Sequence, residues 1–283
     1  MISNIKSWIV LSAAVFGLHA CTVPLPEGTE IHHNQSYGPH NRNKLDVYLP
    51  EQRDTTTEMV VLIHGGAWVT GDKGTADLMR KRNAFLDAGY AVASMNYRFA
   101  NGDYHNQMED VGNALELIRS EATGWLINRD RFALYGISAG GHLALLYGHA
   151  FDQNGVIKTV VSNVGPTNFT STLFHSYAAN YNLMWTLEQL LGETYETDSA
   201  LWAEASPLFN ASDCPSFFIY GGQDDLVPKE QGIAMFDTLI ANGVAADTTI
   251  PAQGTHNVNG PNNMYRDQLL NETVNWLDVH LNQ

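Results

Sequence analysis

Gly136-Ile137-Ser138-Ala139-Gly140 is the stretch whose reading decides the fold. Residues 132–137 ahead of it form an uncharged run that predicts a strand, and residues 140–147 open a helix. Glycine two positions to either side of a serine removes side chains where a strand turns tightly into a helix. Such a turn lifts the hydroxyl out at the carboxyl edge of a sheet. The helix N-terminus behind it favours negative charge. Glycine and serine are common, so the five residues are a weak signal until the rest of the chain is read with them.

Three further segments supply the context, in a fixed order. His64-Gly65-Gly66-Ala67-Trp68 follows an apolar run at 59–63. Asp224 stands inside Gly221-Gly222-Gln223-Asp224-Asp225-Leu226-Val227-Pro228, after a strand-like run at 216–220. His256 follows Gln253-Gly254-Thr255 and a short strand-like run at 248–251. Acyl transfer needs an activated nucleophile, a base, an orienting carboxylate and N–H donors for the developing oxyanion. Ser138 suits the nucleophile, His256 the general base and then acid, and Asp224 the orienter that fixes the imidazole tautomer. Backbone N–H groups of Gly66, Ala67 and Ala139 suit the oxyanion hole. Asp225 is the rival to Asp224. Among 11 histidines, His64 reads as a brace of its loop, His142 as structural, and His280 as a solvated or capping residue of the last helix. Trp68 suits either a wall of the acyl pocket or the core.

Outside these segments, strands and helices alternate. Strands are expected over 44–49, 91–97 and 157–163, and helices over 77–89, 108–118, 230–241 and 264–281. This order implies an α/β fold, a mostly parallel central sheet with helices on both faces. Residues 168–209 break the alternation and are rich in aromatics, among them Phe169, Phe174, Tyr177, Tyr181, Trp185 and Trp202, with a helical stretch near 184–191. At the carboxyl end of a sheet such an insertion would form a small cap, with Trp185 a candidate lining of the substrate pocket. The alternative is that these rings pack the insertion's own core.

The chain has 283 residues, 44% of them hydrophobic, enough for one α/β domain over 43–283. Residues 1–20 read as a signal peptide: Lys6 in a short n-region, then an apolar stretch over 8–18 too short to span a bilayer. Leu18-His19-Ala20-Cys21 resembles a lipoprotein cleavage box, which makes Cys21 a candidate lipidated first residue and points to an extracytoplasmic, cell-envelope or secreted location. Residues 22–42 then read as a tether and an irregular arm. His32, His33 and His40 lie in it without cysteine or carboxylate spacing, so no metal site is expected. With two cysteines in all, lipidation of Cys21 would leave Cys214 unpaired, a small core residue. The formal charge of −15, from 30 acids against 15 bases, argues against nucleic acid and anionic membrane surfaces as partners.

Together these segments resemble the hormone-sensitive-lipase-like carboxylesterases of the α/β-hydrolase superfamily, and within it the bacterial branch that includes acetylxylan and feruloyl esterase-like proteins. The likeness also covers Leu45-Asp46-Val47-Tyr48-Leu49-Pro50, Asn96-Tyr97-Arg98, Glu109-Asp110-Val111, Ser206-Pro207-Leu208 and Cys214-Pro215. Ala67 stands where a third glycine is usual. The family acid precedes the proline by four residues, which places it on Asp224. The resemblance implies a serine carboxylesterase without metal or cofactor, acting on short-chain acyl esters, with acetyl or feruloyl esters of plant polysaccharide as candidate substrates. An amidase or formamidase on the same triad, and a non-catalytic surface lipoprotein, are the competing readings.

Overall fold

The computed structural model describes residues 24–281. The expected signal peptide and Cys21 lie outside them. The described chain builds one eight-stranded sheet from β1 (Glu30–Ser36), β2 (Lys44–Leu49), β3 (Met59–Ile63), β4 (Ala91–Met95), β5 (Phe132–Ile137), β6 (Ile157–Asn163), β7 (Ser216–Ile219) and β8 (Ala246–Thr249). Their spatial order is β1-β2-β4-β3-β5-β6-β7-β8. β2 runs antiparallel to both β1 and β4, and the rest pair in parallel. Every residue of β3 and β4 is buried, as expected for strands covered on both faces.

The register shows which helix covers which face. Successive residues of a strand point to opposite faces. On β5, the Tyr135 ring packs against Phe85 of α1 (Ala76–Asp87), with centroids 5.6 Å apart. Gly136 turns the other way, toward α3 (Ala139–Leu146). Thr159, on the register neighbour β6, accepts a 2.6 Å bond from Trp276 of α8 (Arg266–Leu281). Thr159 pairs with Ala133, which shares the face of Tyr135. So α1 and α8 cover one face and α3 the other, giving the layered α/β-hydrolase architecture.

The helix α2 (His105–Trp125) is longer than expected from 108–118. Its last turns bury Ala122 and Trp125, and it ends only at Leu126, in the left-handed region. Asp110 on α2 is buried and takes Arg98 N at 2.6 Å, Arg98 Nε at 2.9 Å and Asn43 Nδ2 at 2.8 Å. Two of the sequence segments thereby become one satisfied ion pair, its carboxylate buried and its guanidinium part-exposed, between the exit of β4 and α2.

One expectation is corrected. The arm over 22–42, read as irregular, holds β1, paired with β2 through a register shift between His32 and Gln35. Between β6 and β7 the chain forms α4 (Thr172–Asn180), α5 (Leu183–Leu191), α6 (Ser199–Glu204) and a 3-10 turn (Pro207–Asn210). Phe169, Phe174 and Trp202 are fully buried there, and Phe169 packs both on these two rings and across on Trp68 and His142 of the main domain. The remaining α-helix among the described residues is α7 (Glu230–Ala241).

Candidate active site

β5 delivers Ser138 with φ 54° and ψ −119°, a left-handed turn that a serine adopts only under strain, on the order of 1–3 kcal/mol. The turn is fixed by Ser138 N donating to Asn163 O at 2.8 Å and by His142 N donating to Ser138 O at 3.0 Å. It also needs glycine at 136: a Cβ there would stand 2.0 Å from Gly140 O.

His256 Nε2 lies 3.0 Å from Ser138 Oγ, and His256 Nδ1 lies 2.9 Å from Asp224 Oδ2. The other Asp224 oxygen accepts the N–H groups of Leu226 at 2.9 Å and Val227 at 3.0 Å. Both oxygens are therefore engaged, and the carboxylate is held in one orientation. Asp224 accepts from Nδ1–H, which leaves Nε2 bare toward the serine hydroxyl. Asp225 does not reach the histidine; its carboxylate accepts from the Tyr181 hydroxyl at the end of α4. The acid and histidine loops are tied by Gln223 N to Gly254 O at 2.7 Å and Gly222 N to Pro251 O at 2.9 Å. The Asp224 side chain is fully buried, while that of His256 is 29% exposed, so the site opens to solvent on the histidine side.

The expected oxyanion loop stands beside the serine. Among the described residues, no acceptor takes the N–H of Gly66, Ala67 or Ala139. Gly66 and Ala67 have φ 119° and 48°, so the loop doubles back on itself, with Val69 N and Thr70 N both donating to Gly66 O. Unpaired N–H groups at a tight turn and a helix start are suited to an anion.

Trp68 lies in the core, the second of its two expected readings, rather than in a pocket wall. It is 1% exposed and donates Nε1 to His142 Nδ1 at 3.2 Å. The one ring N–H of His142, on Nε2, donates to Ala205 O at 2.8 Å. Burial pushes this imidazole down to about 4, so it is a neutral structural link. Trp185 is 47% exposed on α5. His64 is buried behind the oxyanion loop, and His280 stacks on Trp276 with centroids 3.9 Å apart. Sequence reasoning missed Arg42, which reaches His64 from the N-terminal arm. A single basic residue in a segment without periodicity gives no signal for such a contact.

Residues 45–239 match the family described as BD-FAE. An isoprenylcysteine alpha-carbonyl methylesterase of Arabidopsis thaliana is 26% identical over 236 residues, 78% of this chain and 55% of the relative. An acetylxylan esterase of Xylanibacter ruminicola is 28% identical over 204 residues, 67% of this chain and 39% of the relative. The chain thus spans about half the length, or less, of these curated relatives. A truncated carbohydrate esterase from gut microbiota superposes with a TM-score of 0.77 at 20% identity, covering 92% of this chain and 99% of the other, which shows a shared fold.

Proposed function

The chain belongs to the BD-FAE family, and from that premise we propose that it is a serine carboxylic ester hydrolase of short-chain acyl esters, with acetyl or feruloyl groups on plant polysaccharide as the substrate class. The observation that carries this reading is the relay from Ser138 Oγ to His256 Nε2 and from His256 Nδ1 to Asp224 Oδ2, at 3.0 and 2.9 Å. The unpaired N–H groups of Gly66, Ala67 and Ala139 beside it support the same reading.

Ser138 attacks the ester carbonyl while His256 Nε2 takes its proton. The carbonyl oxygen becomes an oxyanion and receives the free N–H groups. Asp224 stabilises the imidazolium without taking its proton. Collapse of the intermediate expels the alcohol, which leaves with the proton from Nε2. Water then repeats the sequence on the acyl-enzyme, and the acid is released. The exposed side of His256 leaves room for an alcohol carried on a larger carbohydrate. The leader and Cys21 add a lipid tether to the envelope in this reading.

Hydrolysis of p-nitrophenyl esters from acetate to laurate, with methyl ferulate and acetylated xylan alongside, tests it in wild type and Ser138→Ala. Serine-dependent turnover that peaks at acetate or butyrate is expected. A folded, probe-reactive protein that turns over none of these esters would overturn the ester reading in favour of an amide or formamide substrate.

A further inference from the structure

The expected oxyanion loop is held from behind by a residue of the N-terminal arm. Arg42 Nη2 lies 3.2 Å from His64 Nε2 and donates to Gly71 O at 3.0 Å, while Arg42 Nε donates to Tyr97 O at 2.7 Å. Its guanidinium carbon sits 3.7 Å from the centroid of the Phe99 ring. The His64 ring stacks on Tyr97 with centroids 4.3 Å apart, and its Nδ1 lies 2.7 Å from Gly65 O.

These contacts dictate a tautomer. A guanidinium only donates and a carbonyl only accepts. His64 must therefore present a bare Nε2 to Arg42 and an N–H on Nδ1 to Gly65 O. Gly65 C=O and Gly66 N–H belong to one planar trans peptide and point in opposite directions. Holding the carbonyl against His64 thus aims the Gly66 N–H away from the ring. That N–H has no acceptor among the described residues. A Cβ built on Gly65 would stand 3.2 Å from Ser138 Cβ, so this stretch lies directly against the nucleophile.

We infer that Arg42 is a positioning residue for ester hydrolysis: by donating into His64 Nε2 it fixes the Nδ1–H tautomer, and through the Gly65–Gly66 peptide it aims an oxyanion donor. The inference rests on the reading of Ser138 as nucleophile given above. Arg42 touches no reacting atom in this scheme. The opposite tautomer would set an Nε2–H against the guanidinium and a lone pair against Gly65 O, leaving the peptide without its anchor. Burial, with the Arg42 charge adding to it, pushes His64 down to about 4, so the ring is neutral and able to accept at working pH.

A double-mutant cycle separates this role from simple bracing of the loop. His64→Asn places an amide N–H near the position of Nδ1 and needs no donor on its far side. Arg42→Met in the wild-type background is expected to lower kcat on p-nitrophenyl acetate about ten- to a hundredfold with KM little changed. The same substitution in the His64→Asn background is expected to change kcat by less than about twofold. Arg42→Lys, which keeps a donor toward Nε2, retains most of kcat. Imidazole ¹⁵N shifts, assigned by difference with His64→Asn, are expected to report Nδ1–H at His64 in wild type. Equal losses from Arg42→Met in both backgrounds, or an Nε2–H signature at His64, would overturn the inference. If wild type hydrolyses no ester, the reading of Ser138 fails instead, and the ¹⁵N shifts still decide the tautomer.

Discussion

Trp68 Nε1 donates to His142 Nδ1 across 3.2 Å, joining the loop before α1 to the helix that follows the Ser138 turn. His142 then reaches Ala205 O, at the end of α6. One neutral imidazole thereby connects the expected oxyanion loop, the serine turn and the insertion. The link accepts on one side and donates on the other, so replacing the Trp68 indole by an apolar group would leave His142 Nδ1 buried and unpaired.

Trp68→Phe keeps most of the buried ring and removes only the donor. The variant is expected to lose about 1–3 kcal/mol of stability, the cost of an unsatisfied buried acceptor. Denaturant midpoints measure this, and an unchanged midpoint would show that His142 Nδ1 needs no partner.

Acid should destabilise the protein in a defined window. Burial holds His64, His142 and His149 each down at about 4. An unfolded histidine titrates near about 6.5. Between these values the unfolded chain binds protons that the folded chain refuses, so stability falls as pH drops from about 6.5 to about 4. Above that window the three histidines contribute no slope. Urea midpoints at about pH 7.5 and about pH 4.5 test the sign, and His149→Asn should make the decline shallower. A midpoint that does not fall would contradict the buried, neutral state of these rings.

The two neighbouring acids are predicted to differ sharply. Asp224→Asn should lower kcat by about 10⁴, because an amide opposite Nδ1 favours the wrong imidazole tautomer. Asp225→Asn should cost little, since that carboxylate bonds the Tyr181 hydroxyl at an exposed position and not His256. Kinetics of the two variants on one ester rank them, and the reverse ranking would refute the geometry.

The serine turn was legible because it depends on local constraints, whereas the choice of Asp224 over Asp225 came only from the register of the resembling family. Glycine is forced at 136 by the close approach of the Gly140 carbonyl, and the preceding strands are apolar runs. β1 was not legible. Glu30 to Ser36 is an edge strand of mostly polar, largely exposed residues, and with neither face buried it carries no period-2 signal. Trp68 was ambiguous for a different reason: an aromatic after a glycine loop suits a pocket wall or a core equally. Only the tertiary position of His142 decides between them. Arg42 and His64 are 22 residues apart, and nothing local links them.

The most direct test of the central claim is labelling with a fluorophosphonate probe, followed by mass spectrometry of the modified peptide. The account predicts a single adduct on Ser138 in the wild type and none in Ser138→Ala. Undiminished labelling of Ser138→Ala, or an unreactive wild type that is folded, would contradict the assignment of Ser138 as the nucleophile.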